Sequence, residues 1–340
     1  MSEIAIIGAG AWGTALSIVL GRKGSHRVRL WVHEKDVCET IARTRVNENF
    51  LPGCTLPVNV HPTRIMEEAI VDADIIVSVM PSNYCRSVFE EMRVHLTENM
   101  LLVSATKGIE KNTTMRMTEV IRDVVKNARH FTPRIGALSG PSFALEVARG
   151  DPTAITIASE DTELALIVQK EFSGPSFRIY TNEDTVGVEL AGALKNTIAI
   201  AAGTCTGLGL GHNSVAALIT RGLAEMTRLV VACGGKAETM AGLAGLGDLV
   251  LTCTGGLSRN RSVGIELGRG RKVPEILAGM HGMVAEGIFT TTAAVELARA
   301  HGVEMPITEQ MHAILHAGKA PREAIAELMM RSGKSEMSKT

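Results

Sequence analysis

Aromatic side chains are scarce in this chain, at 3% of 340 residues, so stacking platforms for nucleobases are not expected. Net charge is nearly absent too. Lys and Arg number 35 against 36 Asp and Glu, a formal charge of −1, which gives no electrostatic case for nucleic acid or an acidic membrane surface. Six cysteines are scattered as Cys38, Cys54, Cys85, Cys205, Cys233 and Cys253, with no paired spacing. That pattern fits reduced thiols in a cytoplasm better than a disulfide framework or a zinc site. No unbroken apolar run reaches membrane-spanning length, so stable membrane insertion is not expected. The β-rich pattern begins within three residues of Met1, so no signal peptide is expected. The ending Ser338-Lys339-Thr340 is not the peroxisomal Ser-Lys-Leu address. The glycine-rich loops at Gly203–Gly211, Gly234-Gly235 and Gly242–Gly247 all lack the Gly-Lys-Ser/Thr ending of a phosphate loop. His312 and His316 have a metal-compatible i,i+4 spacing but no third ligand, so they read as surface residues and no metal is expected. The methionines at 226, 240, 280, 283, 329 and 330 read as packing.

What is present points to two domains, as the length suggests. Ile4–Ile7 is wholly apolar, as in a parallel strand covered on both faces. It runs into Gly8-Ala9-Gly10-Ala11-Trp12-Gly13 and a helix expected from about Thr14 to Gly24. Strand before and helix after make this Gly-x-Gly-x-x-Gly a dinucleotide-binding signal. Gly8 allows the tight turn, Gly10 lets backbone approach a pyrophosphate, and Gly13 lets helix and strand pack closely. The helix N-terminus faces the anion. Further strands are predicted at Arg27–Trp31, Ile75–Val79, Leu101–Ser104, Arg134–Leu138, Ala154–Ala158 and Phe177–Thr181, with a proline-marked loop at Pro52, Pro57 and Pro62. The alternation stops near Asn182–Asp184, and the pattern beyond is helical. The expected architecture is α/β: a doubly wound, mostly parallel sheet over residues 1–184, then an all-helical domain over 185–340. After the second strand, His33 and Lys35 could meet a 2′-phosphate, which leans the cofactor from NAD toward NADP.

Val186–Gly203 reads as a buried helix, yet it carries Glu189 and Lys195, too far apart in register to pair with each other. Two readings of Lys195 stay open on this stretch alone. It could snorkel to water, or it could be a proton donor/acceptor in a desolvated cleft. Other candidates fall at strand ends and helix starts. Lys107 follows the strand ending at Ser104, where doubly wound sheets bind ligands. Gly140 permits close backbone approach, and Ser142 could cap a helix from Phe143. Asp248 could cap a helix or orient Lys195. Ser258, Arg259 and Asn260 open a helix and together make an anion site.

These residues and the stretches around them resemble the bacterial form of the NAD(P)-dependent sn-glycerol-3-phosphate dehydrogenase family. The matching segments are GAGAWGTAL from Gly8, ATKGIE from Ala105, LSGPSFALEVARG from Leu138, GVELAGALKN from Gly187, ITRGLAEMTRL from Ile219, GLAGLGDLVLTCT from Gly242, LSRNRSVG from Leu257 and EMPITE from Glu304. The resemblance implies a Rossmann domain followed by a helical substrate domain, with the active site in the cleft between them. It implies that Lys195 is the proton donor/acceptor for reduction of dihydroxyacetone phosphate, whose product is a precursor of glycerophospholipids. By the same resemblance Lys107, Gly140, Ser142, Asp248, Ser258, Arg259 and Asn260 line the substrate. Ala11, Trp12, His33, Lys107, Ala144, Arg259, Val284 and Glu286 contact the cofactor. The chain departs from many relatives at Ala11, where they have Ser, and at Val32, where they have Arg. A different dehydrogenase of a phosphorylated or carboxylated alcohol, or a non-catalytic nicotinamide sensor, would fit the same fold. A homodimer is allowed by the sequence but not specified by it.

Overall fold

The strand β1 (Ser2–Ile7) shows why the first half of the chain is layered. Successive side chains of a strand point to opposite faces. Ile4 and Ile6 join one buried cluster, while Ala5 and Ile7 join a second. From Ile4 to Ile7 neither face meets water, which is why that run is apolar throughout. The structure, a computed structural model, describes residues 2–129, 131–280, 285–333 and 335–336.

The remaining strands are β2 (His26–Trp31), β3 (Val46–Asn47), β4 (Leu51–Thr55), β5 (Val60–Thr63), β6 (Ile75–Ser78), β7 (Leu101–Ser104), β8 (Arg134–Ser139), β9 (Thr153–Ala158) and β10 (Phe177–Asn182). Eight of them form one sheet in the order β10-β9-β8-β7-β6-β1-β2-β5, parallel except for β8 against β9. From β1 the chain winds outward to β2 and β5, then returns to β6 on the other side. The strand order therefore reverses beside β1, the place where open α/β sheets bind ligands.

One face is covered by α1 (Ala11–Arg22), α2 (Lys35–Thr44), α6 (Ala144–Arg149) and α7 (Thr162–Phe172); the other by α3 (Met66–Ile70), α4 (Cys85–Met92) and α5 (Met117–Arg129). Two expectations need correction here. The first helix starts at Ala11, three residues earlier than its apolar pattern suggests, because Gly10 serves as its N-cap. The proline-marked loop contains β3, β4 and β5. Pro62 sits in β5 at the sheet edge, where a missing N–H costs no ladder bond.

The helices beyond are α8 (Thr185–Gly207), α9 (His212–Ala232), α10 (Ala237–Met240), α11 (Asp248–Thr254), α12 (Arg259–Gly268), α13 (Val273–Ala278), α14 (Glu286–Ala300), α15 (Pro306–Ala317) and α16 (Pro321–Met329). Two compact units result, Met1–Lys107 with Met115–Glu189, and Gly108–Thr114 with Leu190–Thr340. Every residue of α8 from 187 to 205 is buried. Such a helix needs neighbours in backbone contact. A Cβ on Gly264 of α12 would lie 1.9 Å from the Ile200 carbonyl oxygen, and one on Gly203 would lie 2.0 Å from that of Arg261. Met226 and Met240 are buried as expected, but Met329 and Met330 are exposed at 79% and 85%. They lie at the end of α16. Met283 lies outside the described residues.

Glu225 of α9 is buried, and its carboxylate closes the start of α15. It accepts the N–H of Ile307 at 2.6 Å, the N–H of Thr308 at 3.2 Å and the Thr308 hydroxyl at 3.2 Å. Burial pushes its pKa from 4.5 up to about 7, against the pull of these donors. Between those values the folded chain holds a proton that the unfolded chain has released. The stability that goes with this shift is present in full below about pH 4.5 and is lost as pH rises through about 7. Glu225→Gln removes the titration and is expected to flatten that part of the profile. Thermal midpoints of both proteins across this range check it; an unchanged slope would exclude Glu225 as the cause.

Candidate active site

The turn after β1 is held by backbone crowding. Gly8 has φ +120°, and a Cβ there would lie 2.6 Å from the Val79 carbonyl oxygen. A Cβ on Gly13 would lie 1.9 Å from the Gly8 carbonyl oxygen. Gly10 differs, because a Cβ there would meet nothing within 4 Å. Nothing among the described residues requires glycine at that position, whereas a closely approaching ligand would. The amides of the first turn of α1 are not taken by a side-chain cap, and no acid sits in that turn. Both features fit a dinucleotide pyrophosphate. Ala11, Trp12 and Ala144 are half-buried, and Trp12 packs near Phe177.

Beyond β2, Val32 is fully buried while His33 is exposed, its ring 5.7 Å from that of Trp31. Lys35 is exposed in the first turn of α2 and pairs with Glu39 at 3.7 Å. At the ends of β7 and β8 the structure brings Lys107, Gly140 and Ser142 together. The Gly140 carbonyl accepts from Lys107 Nζ at 3.2 Å and from Ser142 Oγ at 3.0 Å. Ser142 is therefore not the helix cap that its position suggested. The N-cap of α6 is Phe143, with no side-chain cap bond, because the serine hydroxyl turns back to Gly140.

In the helical unit Lys195 is 6% exposed and Asp248 1%. The Lys195 ammonium pairs with Asp248 Oδ1 and donates to Thr252 Oγ1 at 2.6 Å. The Thr252 hydroxyl in turn donates to the Asp248 carbonyl at 2.6 Å. The snorkelling reading of Lys195 fails, since the amine ends on a buried carboxylate and not in water. Asp248 is the first residue of α11, whose N-cap is Gly247, so its carboxylate orients the lysine and does not cap the helix. A π turn, Leu243–Gly247, delivers it there. A Cβ on Gly245 would lie 2.3 Å from the Met240 carbonyl oxygen, so the glycines make this wide turn possible. Cys253, the residue after Thr252, has its thiol pushed up to about 12 by burial and stays neutral. Glu189, the other charge of this helix, accepts from Arg116 at 2.7 Å, from the Thr118 N–H at 2.8 Å and from the Thr118 hydroxyl at 2.6 Å. It closes the start of α5 within the sheet-containing unit. Burial raises its pKa against the nearby Arg116 charge.

Ser258 is the cap of α12, its Oγ accepting the Arg261 N–H at 3.2 Å. Arg259, the first residue of that helix, keeps an exposed side chain. Its pKa is lowered by partial desolvation, which outweighs the opposing effect of the Glu286 carboxylate. Accessibility decides whether an anion can reach it, and the residue as a whole is exposed. Asn260 is buried. Its Nδ2 donates to Asn196 Oδ1 at 2.9 Å, and its Oδ1 accepts the Gly287 N–H at 3.0 Å. Asn196, Asn260 and Gly287 each directly follow a candidate residue: Lys195, Arg259 and Glu286. One buried amide network thus ties together the backbones that carry all three. Val284 lies outside the described residues. His316 Nε2 sits 3.1 Å from the Ile288 carbonyl oxygen and 3.2 Å from Thr292 Oγ1. Among the described residues no group of three or more His, Cys, Asp or Glu side chains could hold a metal ion. No single helix among them is long and apolar enough to cross a membrane.

Sequence reasoning missed Thr252 and Asn196. Thr252 had a usable signal, being four residues after Asp248 and so on the same face of a helix. Asn196 had none, because its partner lies 64 residues away.

A family model described as the N-terminus of NAD-dependent glycerol-3-phosphate dehydrogenase matches residues 3–165, and the model of its C-terminus matches 184–326. A glycerol-3-phosphate dehydrogenase [NAD(P)+] of Koribacter versatilis is 64% identical over 99% of both chains. One of Acidobacterium capsulatum is 53% identical over 99% of this chain and 100% of its own. The solved glycerol-3-phosphate dehydrogenase of Coxiella burnetii has 41% identity and a TM-score of 0.92, covering 97% of this chain and 99% of its own. With both halves matched in order over nearly the whole length, the chain belongs to the NAD-dependent glycerol-3-phosphate dehydrogenase family.

Proposed function

We propose that this protein is an NAD(P)-dependent sn-glycerol-3-phosphate dehydrogenase, interconverting dihydroxyacetone phosphate and sn-glycerol 3-phosphate. The observation that carries the mechanism is the buried set of Lys195, Asp248 and Thr252. When bound, the nicotinamide supplies the hydride that adds to the carbonyl carbon. The carbonyl π pair moves onto oxygen, and that oxygen takes a proton from Lys195 Nζ, leaving a neutral amine that is reprotonated from solvent once the product has left. In the reverse direction the amine accepts the alcohol proton. Asp248 and Thr252 hold the amine in place and keep its charge balanced in a site largely without water. Arg259 and the first-turn amides of α12 bind the phosphate, which takes no part in the chemistry but positions the carbonyl. Lys107, Gly140 and Ser142 extend the substrate site in this reading, and Gly8–Gly13, Ala144 and Glu286 serve the cofactor. Residues 1–184 then act as the dinucleotide domain and 185–340 as the substrate domain. The same proposal includes a cytoplasmic location, as the cysteine spacing suggests, and a homodimer, which sedimentation would test.

Oxidation of NADH or NADPH followed at fixed protein with dihydroxyacetone phosphate is the direct test. Turnover with this ketone supports the reading; binding of the cofactor without turnover would make the protein a sensor. The lean toward NADP rests on His33 and Lys35, both exposed just after β2. His33→Asp places an acid near the adenosine ribose and is expected to raise the ratio of kcat/KM for NADH over NADPH by about tenfold, the scale of one charge-assisted hydrogen bond. An unchanged ratio would assign the discrimination to other groups.

A further inference from the structure

Asn47 has no place in the chemistry above, yet its side chain is fully buried and reaches the glycine-rich turn. Its Nδ2 donates to the Ala9 carbonyl at 2.8 Å and to Thr14 Oγ1 at 2.8 Å. Thr14, also fully buried, adds a second and longer bond from its hydroxyl to the same carbonyl, at 3.3 Å. Asn47 Oδ1 accepts the Phe50 N–H at 3.2 Å, which anchors the amide to its own loop. The Ala9 carbonyl is therefore drawn toward the interior by two side-chain donors.

A trans peptide is planar, so its C=O and N–H point in opposite directions. Drawing the Ala9 oxygen inward turns the Gly10 N–H outward. Gly10 has no side chain to hinder rotation of this peptide, and among the described residues nothing beyond its own helix and chain neighbours lies within 4 Å of where its Cβ would be. Left unanchored, the peptide could flip and present a carbonyl oxygen where an anion needs a donor. We propose that Asn47 is a positioning residue for the cofactor pyrophosphate, acting by fixing the Ala9–Gly10 peptide with its N–H toward the ligand. This rests on the reading of Gly8–Gly13 as the pyrophosphate seat.

The test uses the full chain with Asn47→Ala, and with Asn47→Asp, which keeps the shape and the acceptor for Phe50 but replaces the donor to Ala9. ADP-ribose contains the pyrophosphate and adenosine lacks it. Titrations with both ligands are expected to show ADP-ribose weakened about tenfold or more, the scale of one buried hydrogen bond, with adenosine unchanged. The NADH KM should rise in step, while kcat at saturating NADH stays within about twofold of the parent, a split that general loosening of the fold would not give. If one variant fails to fold, the other is read by the same criteria. Equal weakening of both ligands, or an unchanged ADP-ribose affinity, would overturn the role of Asn47. Should the parent itself bind ADP-ribose no better than adenosine, the seat is misassigned and the proposal goes with it.

Discussion

Replacing Lys195 by methionine is expected to lower kcat by about 10²-fold or more, the range of general acid–base catalysis, with NADH affinity little changed. Methionine keeps most of the length of the side chain and removes its proton. The alkoxide formed from the ketone would then have no donor where Lys195 Nζ now stands. A complication follows from the geometry, because Lys195 is the partner of a carboxylate that is 1% exposed. Removing one member of a buried pair typically costs about 3–5 kcal/mol, so the single variant should also melt earlier. The double variant Lys195→Met with Asp248→Asn separates the two effects. It should regain much of the lost thermal stability and none of the lost turnover. Recovery of kcat in the double variant, or near-normal kcat in the single one, would remove Lys195 from its role as proton donor.

Arg259→Ala is expected to lower kcat/KM for dihydroxyacetone phosphate by about tenfold to 10²-fold, since a hydrogen bond to a charged group contributes roughly 1.5–3 kcal/mol. The side chain is exposed at the start of a helix already capped by Ser258, and no acid occupies that first turn. Positive charge there opposes the helix dipole unless an anion is bound. Guanidinium geometry suits phosphate oxygens, so the loss should fall on phosphorylated substrates. Unphosphorylated dihydroxyacetone, a poorer substrate from the start, should lose much less. Comparing the two losses is the measurement. Equal losses would show that Arg259 does not read the phosphate. A parallel fall in NADH affinity would indicate that Arg259 also contacts the cofactor, with Glu286 nearby as the acid that balances it.

Local patterns were enough for the frame of the sheet. The apolar runs at β1, β6 and β7 and the glycine spacing before α1 are signals carried within about a dozen residues. Periodicity and backbone sterics decide them wherever the chain goes next. The short strands β3 to β5 were not legible, because prolines and exposed residues interrupt their alternation and pairing alone makes them strands. The resemblance to a known family named more site residues than composition or periodicity could, Thr252, Asn196 and Asn47 excepted.

By itself the sequence determined that a dinucleotide turn would follow β1, that a helical half would follow an α/β half, and that Lys195 would sit in an apolar helix. It left open whether that lysine reached water. Only the tertiary structure decided this, by bringing Asp248 and Thr252 to it from 53 and 57 residues away. It decided likewise that Glu189 closes α5 and that Asn260 joins Asn196 to Gly287. The physical reason is common to all three. Burying a polar side chain is costly unless it finds a partner, and the partner is set by packing between elements, which no window along the chain contains.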